Sequence, residues 1–202
     1  MKLYYTPGAC SLTVRIIINE LDLKTEFESV DLKKKKTDKG EDFLKINPKG
    51  SVPVLQLENG EVLTENAVIL QYLADSNNAT HLLPNIDNFN RYRILEWVNY
   101  ITTELHKTFA NLFNPTIPEH LKNEVFIPLI KTKFDFINKK IRQPYLMGND
   151  FSLPDAYLYV IMRWAKNFNI DLSSFDKLSQ FFRQMETREA VKKSLKEEKL
   201  IH

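Results

Sequence analysis

Residues 51–75 read SVPVLQLENGEVLTENAVILQYLAD, and this stretch decides the fold. Val52 to Leu57 alternates apolar and polar residues, the period of a strand with one buried face. Glu58-Asn59-Gly60 is a hairpin turn signal, and Val62 and Leu63 supply a short return strand. Thr64 to Asn66 then open a helix whose apolar residues Ala67, Val68, Leu70, Tyr72 and Leu73 continue to Asp75. Pro53 falls at the first residue of a strand, where no ladder donor is required. A Val52-Pro53 bond at such a junction can be cis, leaving the Val52 backbone to pair with something extended. Glu65 and Asn66 occupy a first helical turn, where unpaired N–H groups and the dipole favour an anion. Singly, these are commonly an ordinary trans proline and a dipole partner. In this order they could hold a short peptide by its backbone and both charged ends.

Working back to the start, Leu3 to Tyr5 reads as a strand stopped by Thr6-Pro7-Gly8. A helix follows with Leu12, Val14, Ile16, Ile17, Ile18 and Leu21 as a broad apolar face. Phe27 to Leu32 reads as a second strand. Asp42 to Ile46 is a brief helix ended by Asn47-Pro48. The order β-α-β-α-β-β-α predicts a four-stranded mixed sheet, since helical crossovers impose parallel pairing and a tight turn imposes antiparallel pairing. Residues 76–88 are polar and contain Pro84. Beyond them every periodic segment is helical: Asn90–Phe113, Pro118–Ile141 with Pro128 as a kink, Ala156–Phe168, Phe175–Glu186 and Glu189–Lys199. Ser152-Leu153-Pro154-Asp155 carries the pattern of a capping box. The expected organisation is an α/β domain over 1–77, a linker over 78–88 and an all-α domain over 89–202.

Hydrophobic content of 43% with 27% charge is that of a soluble globular chain, and a net charge of +2 favours neither nucleic acid nor membrane. The basic run Lys33 to Lys36 lies among acids and reads as a solvated loop. A single cysteine excludes an internal disulfide and fits a reducing compartment. With no leader-like stretch and no apolar run of membrane-spanning length, a cytoplasmic location is expected.

Two further places carry chemistry. Cys10 lies between a strand and a helix start, where N–H groups and the dipole lower a thiol's pKa. The alternative is a small buried hydrophobe. Tyr5 and Ser11 flank it with hydroxyls. On the long helix, Leu95, Val98, Leu105, Phe109 and Leu112 form a core stripe. Asn99, Thr103 and His106 form a polar stripe beside Trp97, Tyr100 and Phe113, and Lys107 lies one turn after Thr103.

The sequence resembles a glutathione S-transferase of the bacterial beta class. The likeness runs from MKLYYTPGACSL through NPKGSVPVL, LTENAVILQYLAD and HKTFANLFNP to SLPDAYLYV. It implies a thioredoxin-like N-terminal domain, an all-helical C-terminal domain, and a homodimer with glutathione in the cleft between domains. It implies that Cys10 faces the glutathione sulfur and can form a mixed disulfide with it. Val52, before a cis Pro53, would pair with the cysteinyl backbone. Glu65 and Asn66 would hold the γ-glutamyl end, and a lysine matching Lys35 the glycyl carboxylate. His106 and Lys107 would approach the thiol, Asn99 would line the site, and Thr103 would reach over from the partner subunit. Asn66 stands where these proteins usually carry serine; its amide can still donate to a carboxylate. Tyr5 matches a tyrosine that activates the thiol in other classes but not in this one.

The implied function is conjugation of glutathione, as co-substrate and without a metal, to small hydrophobic electrophiles. Phe113 and Trp164 would line the electrophile pocket, and Cys10 would add thiol-disulfide exchange. A glutathione-dependent reductase or isomerase, or a non-enzymatic adaptor of the same fold, are the alternatives.

Overall fold

The computed structural model describes residues 1–201. β1 (Lys2–Tyr5) buries Leu3 and Tyr4 and passes through Pro7-Gly8 into α1 (Ser11–Glu20). Every residue from Ser11 to Ile18 is buried, so α1 is packed on more than one side. β2 (Glu26–Asp31) lies parallel to β1, with Lys2 opposite Glu26. β3 (Lys36–Thr37) precedes α2 (Phe43–Ile46), whose cap is the Asp42 carboxylate accepting from the Leu44 amide at 3.0 Å. Asn47, before Pro48, leaves the helical region and ends α2. β4 (Val54–Gln56) runs antiparallel to β1, β5 (Val62–Thr64) antiparallel to β4, and α3 (Asn66–Ser76) completes the series.

Among the described residues the sheet has five strands, in the order β3-β2-β1-β4-β5, where the sequence predicts four. The extra strand is two residues at the end of the basic run. Thr37 turns inward and pairs with Val30, a signal too short for any periodicity to carry. Tyr4, Val30, Phe43, Val52 and Val54 close one core of this unit.

The chain divides into two compact units, residues 1–79 with 187–201, and residues 80–186. The last helix, α10 (Glu189–Glu197), therefore joins the sheet-bearing unit rather than the region expected at 89–202. The cause is apolar: Ala190, Val191 and Leu195 are buried as α10 packs on α1. A charged clasp accompanies it. Arg15, 2% exposed, donates through Nε to Glu198 at 3.0 Å and through Nη1 to Glu197 at 3.2 Å. The other Glu198 oxygen accepts the Gly8 amide at 2.8 Å. Burial holds the Glu198 carboxyl above its ordinary range, against the pull of the Gly8 amide and Arg15.

In the second unit, α4 (Phe89–Tyr100) runs into a π-helical turn, Ile101–His106, and then α5 (Lys107–Phe113). The following helix likewise changes its repeat: α6 (Glu119–Leu121), a π-helical turn (Lys122–Phe126) and α7 (Ile127–Lys140), with Pro128 just after the π turn. α8 (Leu153–Asn167) is buried along nearly its whole length, and α9 (Asp176–Thr187) follows it. The capping box at the head of α8 is present. The Asp155 carboxylate accepts from the Ser152 amide and hydroxyl, each at 2.8 Å, and from the Leu146 amide at 2.8 Å.

Candidate functional site

In the sheet-bearing unit the loop 6–10 delivers Cys10 to the first turn of α1. Ser11 pins that loop rather than facing a ligand: it is fully buried and its Oγ accepts the Thr6 amide at 3.2 Å. Tyr5 is likewise committed, its ring meeting Phe27 edge-on at 6.4 Å and the Arg15 guanidinium at 4.3 Å. Cys10 caps α1 with no side-chain hydrogen bond to the helix and is buried, its Sγ donating to the Val52 carbonyl at 3.2 Å. Burial pushes the thiol up to about 12. The Cys10 and Ser11 amides favour the thiolate but offset this only in part, and the Glu65 charge adds to the rise. The expectation of a lowered thiol pKa is corrected: desolvation outweighs the helix start.

The Val52-Pro53 bond is cis. The loop before it is shaped by two side chains. Asn47, nearly fully buried, donates to the Ser51 carbonyl at 2.8 Å and accepts the Lys49 amide at 3.1 Å. Lys35 donates to the Gly50 carbonyl at 2.7 Å. That contact holds the Lys35 ammonium against the loop that leads into Val52.

Glu65 adopts φ 72°, a left-handed conformation that a non-glycine residue holds at a cost of about 1–3 kcal/mol. Its exposed carboxylate meets Lys49 Nζ at 2.6 Å, and Lys49 also reaches Thr64 Oγ1 at 3.0 Å. Behind it Asn66 opens α3. The residue is 6% exposed, yet neither Oδ1 nor Nδ2 has a hydrogen-bond partner. A buried amide with both atoms unpaired is costly and uncommon, and such groups mark places where a polar ligand completes the set. Strain at Glu65 and an unpaired Asn66 at one helix start fit a zwitterionic γ-glutamyl end: a carboxylate for the amide N–H, an ammonium for the carboxylate.

In the helical unit Asn99, Thr103 and Lys107 are exposed, four residues apart along α4, the π turn and α5. Thr103 Oγ1 donates to the Asn99 carbonyl at 3.1 Å. His106, expected on the same stripe, is instead partly buried against α8. Its Nδ1 lies 2.5 Å from the Tyr157 hydroxyl, and its ring meets Trp164 edge-on at 4.9 Å. The π turn is the reason: its wider repeat breaks the 3.6-residue spacing from which the stripe was drawn. Phe113 and Trp164, predicted to share a pocket, do meet, with ring centroids 5.1 Å apart. Phe109 and Phe168 extend the wall, and Phe113 is 54% exposed.

The sequence reading missed Asn47, Lys49 and Tyr157. In the sequence Asn47-Pro48 signals only a helix stop. Tyr157 could have been reached from the capping box, which sets the register of α8 and puts 157 and 164 on one face. Among the described residues no group of three or more His, Cys, Asp or Glu side chains gathers to hold a metal. No helix among them is long and apolar enough to cross a membrane.

A mixed sheet with a cis-proline edge and a strained helix start, in a chain that continues as a helical unit, is a thioredoxin-like architecture followed by a helical one. Residues 8–76 match the family model described as the N-terminal domain of glutathione S-transferase, and residues 100–189 match that of its C-terminal domain. The chain belongs to the glutathione S-transferase family. It is similar to the glutathione S-transferase GstA of Escherichia coli O157:H7, with 41% identity covering 99% of this chain and 100% of that one. Among solved structures it resembles a sphingomonad glutathione S-transferase complexed with glutathione, at TM-score 0.93 and 39% identity, each chain covered in full. It also resembles a bacterial beta class enzyme of Sphingomonas chungbukensis, at TM-score 0.94 and 35% identity, again over 100% of both chains.

Proposed function

We propose that this protein is a cytoplasmic, homodimeric glutathione transferase that conjugates reduced glutathione to small hydrophobic electrophiles. The observation that carries the glutathione half is the pair of unpaired, buried polar atoms of Asn66 beside the strained Glu65. Glu65 takes the γ-glutamyl ammonium and Asn66 the adjoining carboxylate. Val52, before cis Pro53, pairs with the cysteinyl backbone, and Lys35 takes the glycyl carboxylate. Glutathione, when bound, supplies the sulfur nucleophile. The chain's own residues orient it and favour its ionised form. The family resemblance assigns His106 the role of donor to that sulfur, with Lys107 and Asn99 as supporting polar groups. Phe113 and Trp164 offer an apolar wall to the electrophile. Exposed Phe89, Tyr92 and Phe136 and the exposed Thr103 suit a face covered by a second copy.

The buried, protonated thiol of Cys10 weighs against thiol-disulfide exchange in the resting protein, so conjugation is the leading activity. An adaptor has no use for a strained glutamate and an unpaired buried amide. Isothermal calorimetry of Glu65→Ala tests the reading. Loss of a charge-assisted hydrogen bond should weaken glutathione binding by about 1.5–3 kcal/mol, and unchanged affinity removes Glu65 from the site.

A further inference from the structure

We infer that Tyr157 is a positioning residue that fixes the tautomer of His106, so that the imidazole presents Nε2–H as a donor and cannot act as a base. The inference deepens the role given above to His106 and rests on it. Tyr157 is fully buried on α8, and its hydroxyl lies 2.5 Å from Nδ1 of His106. A phenol is a far better proton donor than a neutral imidazole N–H. The hydroxyl therefore donates to the Nδ1 lone pair, and the ring proton resides on Nε2. The ring is held in that attitude on two sides. Trp164 meets it edge-on at 4.9 Å and 76°, and Tyr157 itself at 5.9 Å and 81°. His106 closes the π-helical turn, and the altered repeat there separates it from the exposed Asn99, Thr103 and Lys107.

The chemical consequence is specific. With one nitrogen accepting from Tyr157 and the other protonated, neutral His106 has no lone pair for a thiol proton. The thiol proton passes to solvent base, and His106 stabilises the resulting thiolate by donation, an electrostatic rather than a general-base role.

Tyr157→Phe removes the hydroxyl and keeps the ring. Long-range ¹H–¹⁵N spectra of histidine-labelled protein, with the His106 signals assigned by their loss in His106→Gln, should show Nε2–H in the wild type. The variant should show a mixture of tautomers. In steady-state conjugation of a chlorinated nitrobenzene, kcat should fall by roughly three- to tenfold, the scale of one hydrogen bond, with KM for glutathione nearly unchanged. An Nδ1–H tautomer in the wild type, or an unaltered His106 spectrum in the variant, overturns the inference. If the tautomer shifts as expected in a protein that conjugates nothing, the positioning of His106 stands and the transferase reading fails.

Discussion

Glu198→Ala should destabilise the protein by about 3 kcal/mol, through a charge it leaves behind rather than a contact it removes. Arg15 and Glu198 are 2% and 0% exposed, so neither can be hydrated without opening the packing of α10 on α1. Deleting one partner of a buried pair costs about 3–5 kcal/mol. Two features of this pair point to the lower end. Glu197 remains 3.2 Å from Nη1, and the guanidinium faces the Phe27 ring at 3.8 Å. Loss of the acceptor for the Gly8 amide works the other way, by about 1 kcal/mol. At about 2–4 °C per kcal/mol for a chain of this size, Tm should fall by about 6–12 °C, read by far-ultraviolet circular dichroism. Glu198→Gln keeps the shape and one acceptor but leaves the same buried charge unpaired, so most of the loss should remain. The double variant Arg15→Met/Glu198→Met, which buries no charge, should recover most of the loss. A single variant within about 0.5 kcal/mol of wild type, or a double variant worse than the single, would refute the reasoning.

With its thiol pushed up to about 12, Cys10 should have on the order of 1 part in 10⁴ as thiolate at pH 8. Labelling by a disulfide reagent should therefore be slow in the native protein and complete in urea; rapid stoichiometric labelling at pH 7 contradicts this. The same shift has a pH signature. The folded state holds the Cys10 proton longer than the unfolded chain, so the contribution is full below the ordinary value of 9.0 and is lost as pH rises through about 12. Cys10→Ala should flatten that alkaline limb of a stability profile. Glu65→Gly should relieve the strain at φ 72° and raise stability by about 1 kcal/mol while weakening glutathione binding. Stability and affinity moving together would show that the conformation is not held for the ligand. Light scattering should report a dimer; a 23.7 kDa species alone at micromolar concentration would defeat that assignment.

Periodicity made most elements legible, because the helices and longer strands bury one repeating face and the turn residues are chemically distinctive. β3 escaped because two residues hold no period. The π turns escaped because their repeat departs from the spacing used to find a helix face, and this misplaced His106 relative to Asn99 and Thr103. Glu65 and Asn66 were visible through their place at a helix start. The sign of the Cys10 shift was not, since it depends on how deeply neighbours from elsewhere in the chain cover the sulfur. The Arg15–Glu198 clasp joins residues 183 positions apart, beyond the reach of any local pattern.

That clasp also bears on biosynthesis. The sheet-bearing unit is assembled from residues 1–79 and 187–201, so its final helix emerges from the ribosome after the whole helical unit. Until then the α1 face that meets Val191 and Leu195 lacks its cover, and the Gly8 amide and Arg15 lack Glu198. The first unit begun is thus the last one finished, the reverse of the usual N-terminal-first order. Protease digestion of nascent chains stalled after residue 186 should cut residues 1–79 readily, and full-length chains should resist.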